Sequence, residues 1–186
     1  MSVDLVNVKT RDGLRLGGIW RKPDSGTSSQ LGVDVVVLQH GVGGNFYGAG
    51  MFEEYSDAIL EKGCAVLRVN NRGHDGMSRA VVGDGVKRIG AAYESMDECT
   101  YDWEAWIDFA QAAGYKSIGI WGHSLGARPS PSITWPRKAT TGSDAWSRVR
   151  RPGSPTLPTP LWGRVRNSNA WLHKPRNASM TAIPRP

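Results

Sequence analysis

Cysteine is scarce in this sequence: the 186 residues include only Cys64 and Cys99. Neither has a second cysteine or a histidine at a metal-binding spacing, and one isolated pair does not make the disulfide framework of a small secreted protein. Cys64 lies in the apolar run GCAVLRV, which predicts a small buried side chain. The sequence therefore predicts no metal site and favours a reduced, cytoplasmic setting.

Long apolar segments are also missing. No stretch approaches the roughly 20 apolar residues that a transmembrane helix requires. The N-terminal stretch MSVDLVNVKTRDG has no basic region followed by an apolar one, as a signal peptide would. We therefore expect neither a membrane span nor a secretory signal. A chain of 186 residues and 20.3 kDa is long enough to bury one core.

Proline and acidic residues are each confined largely to one part of the chain. Residues 1–127 contain one of the 11 prolines, and 12 lysines and arginines against 16 acids give them a net charge of −4. Residues 128–186 contain 11 lysines and arginines against one acid, Asp144, which gives +10. Every periodic segment lies in the first part. The chain is thus a folded part, 1–127, joined to a basic, Pro/Arg/Ser-rich tail, 128–186.

Residues 1–127 predict alternating strands and helices. DLVNVKT and LRLGGIW alternate polar and apolar residues around RDG, which predicts an antiparallel hairpin. Three apolar runs are typical of strands buried on both faces of a sheet: VDVVVLQH, CAVLRVN and SIGIWG. Two segments have an apolar stripe at helical spacing: MFEEYSDAILEKG and MDECTYDWEAWIDFAQAAGY. The Gly-rich NRGHDGMSRAVVGDGVKRIG predicts a loop. This order predicts an α/β fold, a mostly parallel sheet with helices on both faces.

The segment GHSLG, residues 122–126, matches the pattern G-x-S-x-G directly after a predicted buried strand. Such a turn from strand to helix is so tight that small residues must flank the serine, and it holds the serine hydroxyl exposed in a strained conformation. The pattern alone is short enough to recur by chance, but its position after a strand favours Ser124 as a nucleophile.

The segment LQHGVGGNF follows another predicted buried strand and is rich in small residues. Backbone N–H groups can point at a developing oxyanion only where no side chain blocks them, so we expect the N–H groups of Val42 and Leu125 to form an oxyanion hole. We expect His40 and Gly41 to support this loop, with His40 bracing it by hydrogen bonds. A phosphate-binding loop is the alternative, but the Lys-Ser/Thr ending of a P-loop is absent.

Three motifs, LQHGVGGNF, LRVNNRGHDG and GIWGHSLGA, in this order, resemble the N-terminal half of the α/β-hydrolase fold family. The resemblance covers residues 1–127. It implies hydrolysis of a small-molecule ester, thioester or amide through an acyl-serine, without a metal or organic cofactor. It also implies that Arg72, Gly73, His74 and Asp75 shape the loop after the fourth strand and are not triad members. The family includes non-hydrolytic proteins, so the fold alone does not determine the reaction.

A serine nucleophile needs a histidine base and an acid that orients it, in the chain order Ser, Asp or Glu, His. After Ser124 the sequence offers one acid, Asp144, and one histidine, His173. Asp144 follows the serine too closely for a helix and a returning strand, which take about 30 residues. His173 has the right order but no predicted element around it. The triad acid and base are therefore not identified.

Residues 128–186 allow three interpretations. They are a disordered basic tail that contacts nucleic acid, a Pro-rich interaction segment, or the product of a shifted reading frame. The frame shift is favoured because the composition changes just after the motif, where a helix should begin. The hydrolase would then be truncated and impaired, and SIGIWG would be an unpaired edge strand. The alternative function is a non-enzymatic module that binds nucleic acid or a protein through residues 128–186.

Overall fold

The computed structural model describes residues 3–24, 27–48, 50–127 and 144–148. His173 therefore lies outside the described residues. The strands are β1 (Val3–Lys9), β2 (Arg15–Arg21), β3 (Val35–Gln39), β4 (Ala65–Val69), β5 (Ser78–Val82), β6 (Gly85–Ile89), β7 (Ile118–His123) and β8 (Asp144–Arg148). The helices are α1 (Met51–Glu61) and α2 (Cys99–Ala112), and a 3-10 helix spans Ser124–Ala127.

Six of the strands form one sheet in the order β1-β2-β4-β3-β7-β8. The sheet is mixed: β3 is parallel to both β4 and β7, whereas the outer pairings β1 with β2, β2 with β4, and β7 with β8 are antiparallel. The predicted hairpin β1–β2 and the predicted parallel centre are both confirmed. Parallel strands end at the same edge of a sheet, so the segments that follow β3, β4 and β7 meet there.

The two helices cover opposite faces of this sheet. Because successive side chains of a strand point to opposite faces, β3 contributes Val35 and Val37 to the core beneath α2 and Val36 and Leu38 to the core beneath α1. The indole of Trp106, fully buried on α2, donates from Nε1 to the carbonyl of Asn70 at 2.9 Å. Each such buried apolar side chain stabilises the fold by about 1.5 to 3 kcal/mol. The prediction of helices on both faces is confirmed.

Strands β5 and β6 form a separate antiparallel hairpin within the segment for which the sequence predicts a loop. Ala80 and Val82 on one side of the hairpin pack against the core beneath α2. On the other side, Arg79 lies directly opposite Arg88, and both are exposed. The loop prediction was wrong. The glycines of this segment favour a loop, but polar and apolar residues alternate on either side of Gly83-Asp84, which is the pattern of a hairpin with a two-residue turn.

The outer edge of β7 is paired with β8, which lies in the part of the chain for which the sequence predicts no regular element. The register places Gly119 opposite Arg148 and His123 opposite Asp144. The prediction that β7 is an unpaired edge is therefore wrong. The physical reason is that the backbone N–H and C=O groups at a strand edge require hydrogen-bond partners. Five extended residues supply those partners from their own backbone, independently of their side chains.

Candidate active site

The chain turns sharply where β7 ends. Ser124, the residue after the strand, has a φ angle of 52°, which a residue with a Cβ atom rarely adopts. The 3-10 helix Ser124–Ala127 follows without a break. A strand, a strained serine and a helical turn in succession are the elements from which a nucleophile elbow is built.

Two glycines let neighbouring backbone approach this turn closely. A Cβ atom on Gly126 would lie only 2.2 Å from the carbonyl oxygen of His40 and 3.0 Å from that of Gln39, so the turn packs directly on the end of β3. A Cβ atom on Gly41 would lie 3.0 Å from the Cβ atom of Ser124. The absence of side chains at these two positions thus brings the segment after β3 against the serine.

His40 is buried beneath this segment and both of its ring nitrogens are engaged. Nδ1 lies 2.7 Å from the carbonyl oxygen of Gly41, and Nε2 accepts a hydrogen bond from the backbone N–H of Asn71 at 3.2 Å. These partners require the neutral tautomer with its proton on Nδ1. Burial lowers the pKa of His40 to about 4, against a smaller rise from the hydrogen bond to Gly41. His40 is therefore uncharged at neutral pH and links the ends of β3 and β4.

Residues 41–48, called here the glycine-rich loop, carry one of the predicted oxyanion donors. The loop begins with a turn in which the N–H of Gly44 donates to the carbonyl of Gly41 at 3.1 Å. Within the described residues, the N–H of Val42 has no hydrogen-bond acceptor, and the residue is 61% exposed. The N–H of Leu125 lies in the first turn of the 3-10 helix, where N–H groups have no acceptor in their own helix.

A cluster around Asp75 ties the glycine-rich loop to the segment after β4. The Asp75 carboxylate accepts hydrogen bonds from Nδ2 of Asn45 at 2.6 Å, from Nδ1 of His74 at 2.8 Å and from the hydroxyl of Tyr47. Burial raises the pKa of Asp75, but these three donors outweigh it and the net direction is down. Burial and the same carboxylate raise the pKa of Tyr47 to about 12, so the phenol keeps its proton.

A buried ion pair fixes the other end of the same segment to α2. Nη2 of Arg72 lies 2.8 Å from Oδ1 of Asp102, and the backbone N–H of Arg72 donates to Oδ2 at 2.7 Å. Asp12 and Glu98 also contact the guanidinium. Burial raises the pKa of Asp102 to about 6, a rise that the contact with Arg72 limits, so the pair is ionised at neutral pH.

The structure brings together some of the residues that the sequence singles out. The turn at Ser124 lies against Gly41 and packs on His40. Leu125 follows the serine in the chain, and Val42 follows Gly41 in the adjoining loop. Asp144 lies in β8 as the backbone partner of His123. The roles of Asn45, Tyr47 and Asp75 as one cluster were missed, because no spacing in the sequence connects residues about 30 positions apart.

Other chemistry is limited in the described part of the chain. Burial raises the pKa of both Cys64 and Cys99 to about 12, so neither thiol is a ready nucleophile. Among residues 3–24, 27–48, 50–127 and 144–148, no three metal-binding side chains gather in one place. None of the helices in these ranges is both long and apolar enough to cross a bilayer.

No family model and no curated protein sequence matches the chain. Solved structures do match. The Pyrococcus furiosus esterase Pf2001 in space group P21 aligns with a TM-score of 0.51 and 22% identity, over 68% of this chain and 43% of that chain. The described part of this chain has part of the α/β-hydrolase fold.

Two further solved structures align with this chain. The Pf2001 esterase in space group P212121 aligns with a TM-score of 0.51 and 22% identity, over 68% of this chain and 41% of that one. Est1E from Butyrivibrio proteoclasticus with bound ferulic acid aligns with a TM-score of 0.49 and 20% identity, over 64% and 43% of the two chains. This chain therefore spans less than half the length of these three structures.

Proposed function

We propose that Ser124 is the nucleophile of a serine hydrolase that acts on small carboxylic esters, thioesters or amides. The observation that carries the proposal is the positive φ of Ser124 at the end of β7, directly against the backbone of Gly41. A strained serine at the carboxyl end of a central strand, in an α/β-hydrolase fold, is placed for acyl transfer. The match to the Pyrococcus furiosus esterase Pf2001 supports this choice of substrate class.

The proposed reaction has two steps. Ser124 Oγ attacks the carbonyl carbon, its proton leaves to a base, and negative charge develops on the carbonyl oxygen, where the N–H groups of Val42 and Leu125 donate. The bond to the alcohol then breaks, and the alcohol departs with a proton. Water attacks the acyl-serine in the second step, releases the acid and returns the proton to Ser124. His40 and Gly41 support the loop that carries Val42.

We further propose that the reaction is impaired in this chain. Both ring nitrogens of His40 are engaged with backbone groups, so His40 is not positioned as the base. The resemblance to the α/β-hydrolase family places His74, which is bonded through Nδ1 to Asp75, in the loop after the fourth strand and outside the triad. The acid and the histidine that follow Ser124 in the chain order of the triad are Asp144 and His173. Without a base, both acylation and deacylation slow, and an enzyme with only its oxyanion hole and binding site retains roughly 10³- to 10⁴-fold catalysis over water.

The test is acylation by p-nitrophenyl acetate, followed by nitrophenolate release and by intact-protein mass spectrometry. We expect an acetyl adduct on Ser124 that accumulates to about one per chain, because deacylation lacks a base. Ser124→Ala removes the adduct, whereas Ser95→Ala, a change at an exposed serine away from the turn, leaves it unchanged. Equal labelling of wild type and Ser124→Ala would reject Ser124 as the nucleophile.

The alternative function, binding of nucleic acid or a protein partner through residues 128–186, is supported by the +10 charge of that segment. Arginine and lysine bind phosphates, so this affinity would fall steeply with salt. Loss of a salt-dependent gel shift on removal of the segment would support this alternative.

A further inference from the structure

Two residues other than glycine have a positive φ in the described part of the chain, and both adjoin the glycine-rich loop. Ser124, at 52°, lies against Gly41 near the start of the loop. Asp75, at 60°, contacts the loop near its other end. Non-glycine residues hold such conformations at a cost of about 1 to 3 kcal/mol, and they cluster where function depends on geometry. Nothing in the proposed reaction yet accounts for the strain at Asp75.

The Asp75 carboxylate is connected to the loop by successive hydrogen bonds. Nδ2 of Asn45 donates to it, and Oδ1 of the same amide accepts from the backbone N–H of Gly48 at 2.5 Å. The hydroxyl of Tyr47 donates to the other carboxylate oxygen. The backbone adds a third tie, because the N–H of Asp75 donates to the carbonyl of Gly44 at 2.9 Å. The loop is thus held at positions 44, 45 and 47 by one residue outside it.

The loop needs an external tie because its own backbone is permissive. Positions 41, 43 and 44 are glycines, and Gly43 has a φ of 65°. Glycine allows the conformation but does not enforce it. A donor to an oxyanion must be held within about 0.5 Å of its productive position to stabilise the transition state. The turn from Gly44 to Gly41 surrounds Val42, so a tie at position 44 also restrains the N–H of Val42.

We propose that Asp75 is a positioning residue whose carboxylate, through Asn45 and Tyr47, holds the glycine-rich loop so that the N–H of Val42 faces the developing oxyanion. This inference rests on the proposed function, in which Ser124 is acylated. Asp75 acts through the loop and does not touch the substrate. Its negative charge is retained at neutral pH by its three donors.

The decisive variant is Asp75→Asn. Asparagine tolerates a positive φ, so the backbone conformation is retained, but its amide offers one acceptor oxygen where the carboxylate offers two. At least one of the three donors therefore loses its partner. Asp84→Asn is the matched control, because it makes the same change of charge at an exposed carboxylate between β5 and β6.

The first measurement is amide hydrogen exchange, which needs no activity. We expect the N–H of Gly48 to exchange about 10-fold faster in Asp75→Asn, since three donors then compete for one oxygen and the Asn45 amide that accepts from Gly48 is held less firmly. The N–H of Phe46 donates to Asn70 at 2.9 Å, independently of Asp75, and should exchange as in wild type. Unchanged exchange at Gly48, or equal acceleration at Gly48 and Phe46, would overturn the proposal.

The second measurement compares acylation by an aryl ester and by the matching thionoester, in which sulfur replaces the carbonyl oxygen. Sulfur is a weak hydrogen-bond acceptor, so a misplaced oxyanion donor affects the oxygen ester far more. We expect Asp75→Asn to slow the oxygen ester roughly 10-fold or more and the thionoester less than about 3-fold. Equal slowing of both would show a general structural defect and would refute a positioning role.

Ser124→Ala separates failure of this inference from failure of the proposed function. If acylation is the same with and without the Ser124 hydroxyl, the proposed nucleophile is wrong and the oxyanion role of the loop fails with it. If acylation depends on Ser124 while the ratio of the two ester rates is the same in wild type and Asp75→Asn, only the role of Asp75 fails.

Discussion

Gly126→Ala tests the close packing of the serine turn on β3. A Cβ atom at this position would lie 2.2 Å from the carbonyl oxygen of His40 and 3.0 Å from that of Gln39. An ordinary contact of this kind needs at least 3.4 Å, so the turn and the strand would have to separate by roughly 1 Å. Both obstructing atoms belong to backbone, which cannot rotate away as a flexible side chain could.

Overpacking of this kind costs about 1 to 3 kcal/mol, and we place Gly126→Ala at the upper end because two carbonyl groups obstruct it. Urea unfolding followed by tryptophan fluorescence should show the loss. With a slope of about 2 kcal/mol per molar urea, a loss of about 3 kcal/mol lowers the midpoint by about 1.5 M. Acylation of Ser124 should fall as well, since the turn is displaced.

The matched control is Gly85→Ala, because a Cβ atom there would meet its nearest neighbour, the carbonyl of Val82, at an ordinary 3.7 Å. We expect that midpoint to stay within about 0.3 M of wild type, a change of less than 1 kcal/mol. The same midpoint for Gly126→Ala and Gly85→Ala would refute the reasoning, because it would mean that the serine turn does not pack on β3.

Two further predictions concern buried polar groups. The folded pKa of His40 is about 4 against an ordinary 6.5, so its contribution to stability is complete above pH 6.5 and is lost as the pH falls towards 4. Between pH 7.5 and pH 5 this loss of folding stability is about 2 kcal/mol. Urea midpoints measured at the two pH values should show the loss in wild type and not in His40→Asn. Equal pH dependence in both proteins would contradict the burial of His40. Asp102→Asn leaves the charge of Arg72 without its fully buried partner, so we expect a loss of about 3 kcal/mol in thermal or urea unfolding. Asp97→Asn, at an exposed position five residues earlier in the chain, is the control. Comparable losses in the two variants would argue against the ion pair.

The sequence predicts the central elements well because their patterns are local. Strands β3, β4 and β7 are mainly apolar on both faces, because each lies between the two helix layers. The turn at Ser124 is predicted for a similar reason, since the tight approach at Gly126 admits only a small residue. Where a physical requirement acts on adjacent residues, it leaves a pattern that can be read from the chain.

The parts that were missed depend on residues distant in the chain or on backbone alone. Asp75 meets Asn45 and Tyr47 across about 30 residues, and polar residues in glycine-rich segments follow no period that would connect them. The same holds for Arg72 and Asp102. Strand β8 forms through backbone pairing with β7, for which side-chain patterns give no signal.

The hairpin β5–β6 has a consequence for how copies of this protein meet. Arg79 and Arg88 face each other on its exposed side. Within the described residues the outer edge of β6 has no strand beside it. If a second molecule paired its own β6 with that edge, its arginines would approach those of the first molecule. In water this repulsion costs about 1 kcal/mol for each close pair of like charges. The hairpin is thus protected by repulsion against growth into a larger intermolecular sheet.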